Sequence, residues 1–105
     1  MLPTLVLPPA TATEPPMFAS IMQMADSAMV RGDIMRARAL YERAAAIHPT
    51  STAACILAGK TYDPNILPRF GGDPSFADIA RAREWYERAR ALGDPHAAAL
   101  LASLR

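Results

Sequence analysis

Asp33-Ile-Met-Arg-Ala-Arg-Ala-Leu-Tyr-Glu-Arg-Ala-Ala-Ala46 returns 45 positions later as Asp78-Ile-Ala-Arg-Ala-Arg-Glu-Trp-Tyr-Glu-Arg-Ala-Arg-Ala91, with ten of fourteen residues identical. The correspondence continues downstream, where Ala53 and Ala54 match Ala98 and Ala99. A repeat of this length is the mark of an array in which each unit buries an apolar face against its neighbour. Within both copies the apolar residues fall at helical spacing: Ile34, Ala37, Tyr41 and Ala44 in the first, Ile79, Ala82, Tyr86 and Ala89 in the second. That period places each set on one stripe of an α-helix. The chain is therefore read as all-α, a stack of antiparallel helical hairpins of about five helices.

Working outward from the first copy, Met17 to Val30 carries Phe18, Ile21, Met22, Ala25, Ala28 and Met29 at helical spacing and predicts a preceding helix. Arg31-Gly32 supplies the turn and Asp33 an N-cap. The helix of the first copy stops before Pro49, and Thr50 or Ser51 can cap a third helix running to about Tyr62. Asp63-Pro-Asn-Ile-Leu-Pro-Arg-Phe-Gly-Gly-Asp-Pro74 is punctuated by Pro and Gly and reads as a loop. Asp73-Pro74 or Asp78 then opens the fourth helix, Gly93 ends it, and Asp94-Pro95 starts a last helix through Leu100, Leu101 and Leu104.

Upstream, residues 1–16 hold five of the ten prolines and are read as an extended, flexible arm. A sharper alternative lets Leu2, Leu5, Val6 and Leu7 dock on the domain or a neighbour. The apolar start is too short to span a bilayer and lacks the basic residues of a signal peptide. With no targeting signal recognised, a cytoplasmic location is expected, and the alanine- and arginine-rich usage suggests a bacterial source.

Gly32-Asp33, Ala37, Tyr41, Ala44 and Pro49 fall at the spacings of the second helix of a tetratricopeptide repeat, which this chain resembles. Running the roughly 34-residue period of that family forward brings Gly59 and Tyr62 to the places of a small residue and an aromatic in the first helix of the next unit. The second unit exceeds that period by about 11 residues, and the excess matches the loop 63–74, between the helices of the second hairpin. Trp85-Tyr86-Glu-Arg-Ala-Arg-Ala-Leu-Gly93, followed by Ala97-Ala-Ala-Leu-Leu101, looks most like the Sel1-like branch, which varies its repeat length. The resemblance divides residues 17–105 into repeats at about 18–51 and 52–96, with a capping helix at 95–104 as a half-repeat. It departs from the family at Met24 and Ala28, where larger residues are usual.

In that family the concave face binds an extended or helical peptide. Carried over by spacing, the face comprises Ala19, Met22, Asp26 and Met29, then Ala53, Ile56 and Lys60, then Ala98, Leu101 and Arg105. The expected partner contacts are Met22, Asp26, Met29, Ile56, Lys60 and Leu101. A mostly apolar groove suits an amphipathic helix or hydrophobic strand, and Met side chains adapt to varied partners. The loop offers a second candidate site at Arg69 and Phe70, although Tyr62, Ile66, Leu67 and Phe70 are apolar enough to pack back over the hairpin.

Composition bounds what else the chain does. Eleven basic against ten acidic residues leave no field to gather nucleic acid or an anionic membrane. Arg38/Glu42, Arg83/Glu87 and Glu84/Arg88 read as i,i+4 pairs on a solvated face. One cysteine and two histidines close no metal site within the chain, so no metal or cofactor is expected, and Cys55 reads as a small core residue. His48 and His96 lie at helix ends and read as structural. No nucleophile with a base, carboxylate pair or phosphate loop can be assembled, and no enzymatic activity is expected. The reading is a non-catalytic protein–protein interaction module, an adaptor or scaffold for a peptide or partner helix. The alternative is a homodimer, or a terminal domain of a larger assembly, with the apolar face buried in self-association.

Overall fold

The computed structural model describes residues 14–104; the expected arm at 1–16 thus lies outside the described residues except for Glu14, Pro15 and Pro16. Five α-helices lie among the described residues: α1 (Phe18–Val30), α2 (Ile34–Ile47), α3 (Thr52–Lys60), α4 (Ile79–Ala91) and α5 (Ala97–Ser103). Two short 3-10 turns, Leu67–Phe70 and Pro74–Phe76, lie between α3 and α4. The architecture is all-α, with α1 packed on α2, α3 on α4, α2 joining the two pairs and α5 on α4.

The ends of the helices follow local chemistry, with departures from the sequence reading. Ser51 Oγ accepts from the Ala54 amide at 3.2 Å, and Asp78 Oδ1 accepts from Arg81 at 3.1 Å. Each satisfies one amide that a helix start leaves orphaned. Asp33 occupies the N-cap position of α2 without a side-chain bond. The third helix stops at Lys60, short of Tyr62. Asp73-Pro74 opens a 3-10 turn rather than α4, its carboxylate accepting from Ser75 at 2.8 Å. Asp94 likewise forms a turn, accepting from His96 at 2.8 Å, so that α5 begins only at Ala97.

Small residues set how closely the helices approach. Ala25, Ala28, Ala37, Ala44, Ala54, Ala58, Ala82, Ala89 and Ala97 are fully buried. Gly59 of α3 lies against α4: a β-carbon there would meet the Tyr86 ring at 2.6 Å and Trp85 at 3.1 Å. Tyr41 and Tyr86, in corresponding positions of the repeat, are the largest fully buried side chains and fill the space between hairpins. Trp85 packs against all three groups of buried side chains.

The loop packs back on the domain, as its apolar content requires. Ile66 and Leu67 are buried and Phe70 is half-buried against α1 and α2 residues. Burying a Leu such as Leu67 contributes about 2 kcal/mol. The segment leaves and returns at one point, because the Asp78 amide donates to the Tyr62 carbonyl at 2.8 Å. The α3–α4 pair is therefore joined as though by a short turn, with the intervening residues folded outside it. At the α1–α2 turn, Gly32 adopts φ 78°, and its α-carbon face meets the Phe70 carbonyl so closely that a β-carbon would lie 2.8 Å from it. Gly is required there on both counts.

Among the described residues the expected i,i+4 ion pairs do not form, and Arg38, Glu42, Glu87 and Arg88 take other partners. Arg38 lies 3.7 Å from the centroid of the Tyr62 ring and donates through Nη2 to the carbonyls of Thr61 and Phe76, each at 2.6 Å. Glu42 accepts from the Tyr62 hydroxyl at 2.7 Å. Arg88 lies 4.5 Å from the Trp85 ring centroid, and Glu87 pairs instead with Arg90 at 2.6 Å.

Candidate functional site

α1, α2, α3 and the loop enclose an open pocket of about 340 Å³ lined by Asp26, Met29, Val30, Tyr41, Leu57, Lys60, Ile66, Arg69 and Phe70. Its formation follows from the chain path. The last turn of α1 brings Met29 and Val30 to one wall, and α3 brings Leu57 and Lys60 to another. The folded-back loop adds Ile66, Arg69 and Phe70. Met29 and Ile66 are buried and form the floor, whereas Val30 is 75% exposed at the mouth.

One carboxylate and two cations accompany this apolar lining. Asp26 Oδ1 accepts from the Tyr41 hydroxyl at 2.5 Å, a charge-assisted bond that holds the ring at the back of the pocket. Burial, reinforced by that hydrogen bond and by the Asp26 charge, raises the Tyr41 pKa well above the ordinary phenol value. Lys60, in the last turn of α3, and Arg69, on the first 3-10 turn, also line it. Among the described residues neither has a carboxylate within ion-pair distance.

The residues singled out from sequence separate into two groups. Asp26, Met29 and Lys60 come together with Arg69 and Phe70, so the face read by spacing and the loop read as a second candidate meet in one pocket. Met22, Ile56 and Leu101 go elsewhere. Met22 is half-buried against the α1–α2 interior, and Leu101 packs beside Cys55, Ala82 and Tyr86. Ile56 belongs to that same second interior and is 8% exposed, which corrects its placement on an open face. The reason is physical: α3 buries Ala54, Cys55, Ile56, Ala58 and Gly59, so it is covered on most sides and hydrophobic spacing gives no phase. Leu57, one position on, takes the place at the pocket. Ala19, Ala53 and Ala98 are exposed, and Arg105 lies outside the described residues.

Val30 and Leu57 were not placed at a site by sequence reading, nor was the hydroxyl of Tyr41, and Ile66 was read only as packing back over the hairpin. The signal for Val30 was present: it is an apolar residue off the buried stripe of α1, at the end of the helix that faces the loop. Cys55 is buried and free, and burial raises its thiol pKa. His48 meets Phe18 edge-on, with ring centroids 4.9 Å apart, which ties the end of α2 to the start of α1. Among the described residues no group of three His, Cys, Asp or Glu side chains could hold a metal ion. No helix among them is long and apolar enough to cross a membrane. No family model, curated protein or solved structure matches the chain.

Proposed function

We propose that this chain is a tetratricopeptide-type, Sel1-like helical solenoid serving as a non-catalytic interaction module that receives a peptide or partner helix in the α1–α3–loop pocket. The observation that carries the reading is the pocket itself, with a buried floor of Met29 and Ile66 and the side chain of Val30 left at its mouth. A concave, mostly apolar site with a few polar groups is what an anchoring side chain needs. The repeat of Asp33–Ala46 in Asp78–Ala91 and the helix-pair packing support the solenoid reading.

The test is a selection of random displayed peptides on the native chain and on Val30→Asp. Val30 is exposed at the last position of α1, where an Asp faces the negative end of the helix dipole, so the substitution is expected to cost about 1 kcal/mol or less, and circular dichroism checks that the helices persist. Peptides that bind the native chain and lose at least about tenfold affinity on Val30→Asp, roughly 1.4 kcal/mol, support the pocket. Enrichment indifferent to that change overturns it. A second reading rests on Met24, Val30 and Met35, which are large, apolar and exposed on the α1–α2 side. There the domain associates with a copy of itself, and light scattering gives a mass of two chains that falls to one in Val30→Asp.

A further inference from the structure

From the charge distribution across this pocket we infer that its partner is acidic: a peptide or helix presenting one large apolar side chain flanked by an Asp or Glu side chain. The inference rests on the peptide-binding reading above and adds the chemistry of the partner. The α1 side of the pocket contributes one carboxylate, Asp26, whose Oδ1 already accepts from Tyr41 at 2.5 Å. The α3 and loop side contributes two cations, Lys60 and Arg69, that among the described residues have no ion-pair partner. An apolar side chain seated on Met29, Leu57 and Ile66 brings its neighbouring residues to the rim where these cations stand. A carboxylate there meets two positive charges, whereas an ammonium meets them as repulsion. Rim charges act on association and on the choice between partners more than on raw affinity. With two cations against one carboxylate, which keeps its charge while it accepts from Tyr41, the pocket favours an acidic over a basic segment, and the apolar anchor holds the accepted one.

A polyanionic nucleic acid is a poorer occupant. Two cations beside an apolar floor do not track a phosphate backbone, and the chain as a whole carries a formal net charge of only +1.

The experiment runs the same random-peptide selection, with internally displayed peptides that present no free C-terminus. It uses the native chain, Lys60→Glu/Arg69→Glu and the neutral Lys60→Gln/Arg69→Gln, at low ionic strength. Circular dichroism checks that each variant folds, and the neutral pair serves if charge reversal disturbs the loop. The native pool is expected to enrich Asp and Glu beside the apolar anchor, the reversed variant Lys and Arg. An acidic peptide from the native pool should lose about tenfold affinity on the reversed variant and about threefold on the neutral one, and both losses should shrink as salt rises. Equal pools and equal affinities for all three proteins overturn the acidic partner while leaving the apolar pocket standing. Failure to enrich any peptide sensitive to Val30→Asp overturns both.

Discussion

The two copies of the repeated stretch share ten residues of fourteen, yet the protein uses them differently. In the first, Tyr41 donates to Asp26 on the preceding helix, at an exposed carboxylate on the pocket wall. In the second, the equivalent Tyr86 donates at 2.7 Å to Asp63, which belongs to the loop and is 1% exposed. Arg38 crosses to the loop and holds Thr61 and Phe76, whereas its counterpart Arg83 is exposed and binds no described side chain. Leu40 of the first copy becomes Trp85 in the second, which reaches all three groups of buried side chains. Closely similar local sequence thus gives similar helices, while the neighbour decides what each side chain does. The first copy faces a loop and builds a pocket beside it. The second is sealed by that same loop and by α5.

The largest expected effect would erase the difference between the copies altogether. Each of the three tyrosines, Tyr41, Tyr62 and Tyr86, gives its hydroxyl to a carboxylate. Burial raises the pKa of each, with the hydrogen-bonded carboxylate adding to the shift. A pKa raised in the folded state contributes stability that is complete below the unfolded value, about 10 for tyrosine, and is lost as pH rises above it. Tyrosinate absorbance should therefore lag behind that of a free phenol above about pH 10 and rise together with the loss of helical circular dichroism. Smooth titration of any tyrosine within a helical chain would contradict this.

Substitution of the two aspartates should separate the copies. Asp63→Ala leaves the Tyr86 hydroxyl unpaired in the interior and removes the bond at 2.8 Å from the Asn65 amide. Its expected cost in urea denaturation is about 3 kcal/mol. Asp26→Ala, at the open pair, should cost about 1 kcal/mol. Equal costs would mean that the sealed and open pairs are energetically alike. Next in size, Arg38→Ala should cost about 2 kcal/mol, since it frees two carbonyls and the Tyr62 ring face. Arg83→Ala should stay within about 0.5 kcal/mol. A modest cost is expected at the α3–α4 contact. Gly59→Ala gains helix propensity of about 1 kcal/mol and loses about 2 to overpacking against Tyr86, a net cost of about 1 kcal/mol, readable as a lowered thermal midpoint.

The helices were legible in the chain because their stripes are unambiguous. Tyr41 and Tyr86 with their flanking alanines specify a buried face at helical period, and Ser51 and Asp78 mark starts by their own side chains. Legibility ended where contacts are long-range. Nothing local says that Arg38 would leave Glu42 for Thr61 and Phe76, because those carbonyls become neighbours only once the loop folds back. The phase of α3 was hidden for a different reason: with Ala54, Cys55, Ile56, Ala58 and Gly59 all buried, its sequence is apolar on nearly every side and does not distinguish Ile56 from Leu57. Asp26, Met29 and Lys60 were named from the spacing of the family resemblance, and Arg69 and Phe70 from the oddity of the loop. Their meeting in one pocket depends on the path between Asp63 and Asp78, which no periodicity encodes.

The single tryptophan touches the interior of both hairpins. The protein consequently carries its own optical gauge, placed at the seam. Any process that parts the hairpins, whether heating, denaturant or a partner wedged between them, wets the Trp85 indole and shifts its emission to the red. An event confined to the mouth of the pocket at Val30 leaves that colour alone. Loosening of the scaffold and occupation of its surface can thus be told apart in one cuvette, without a label.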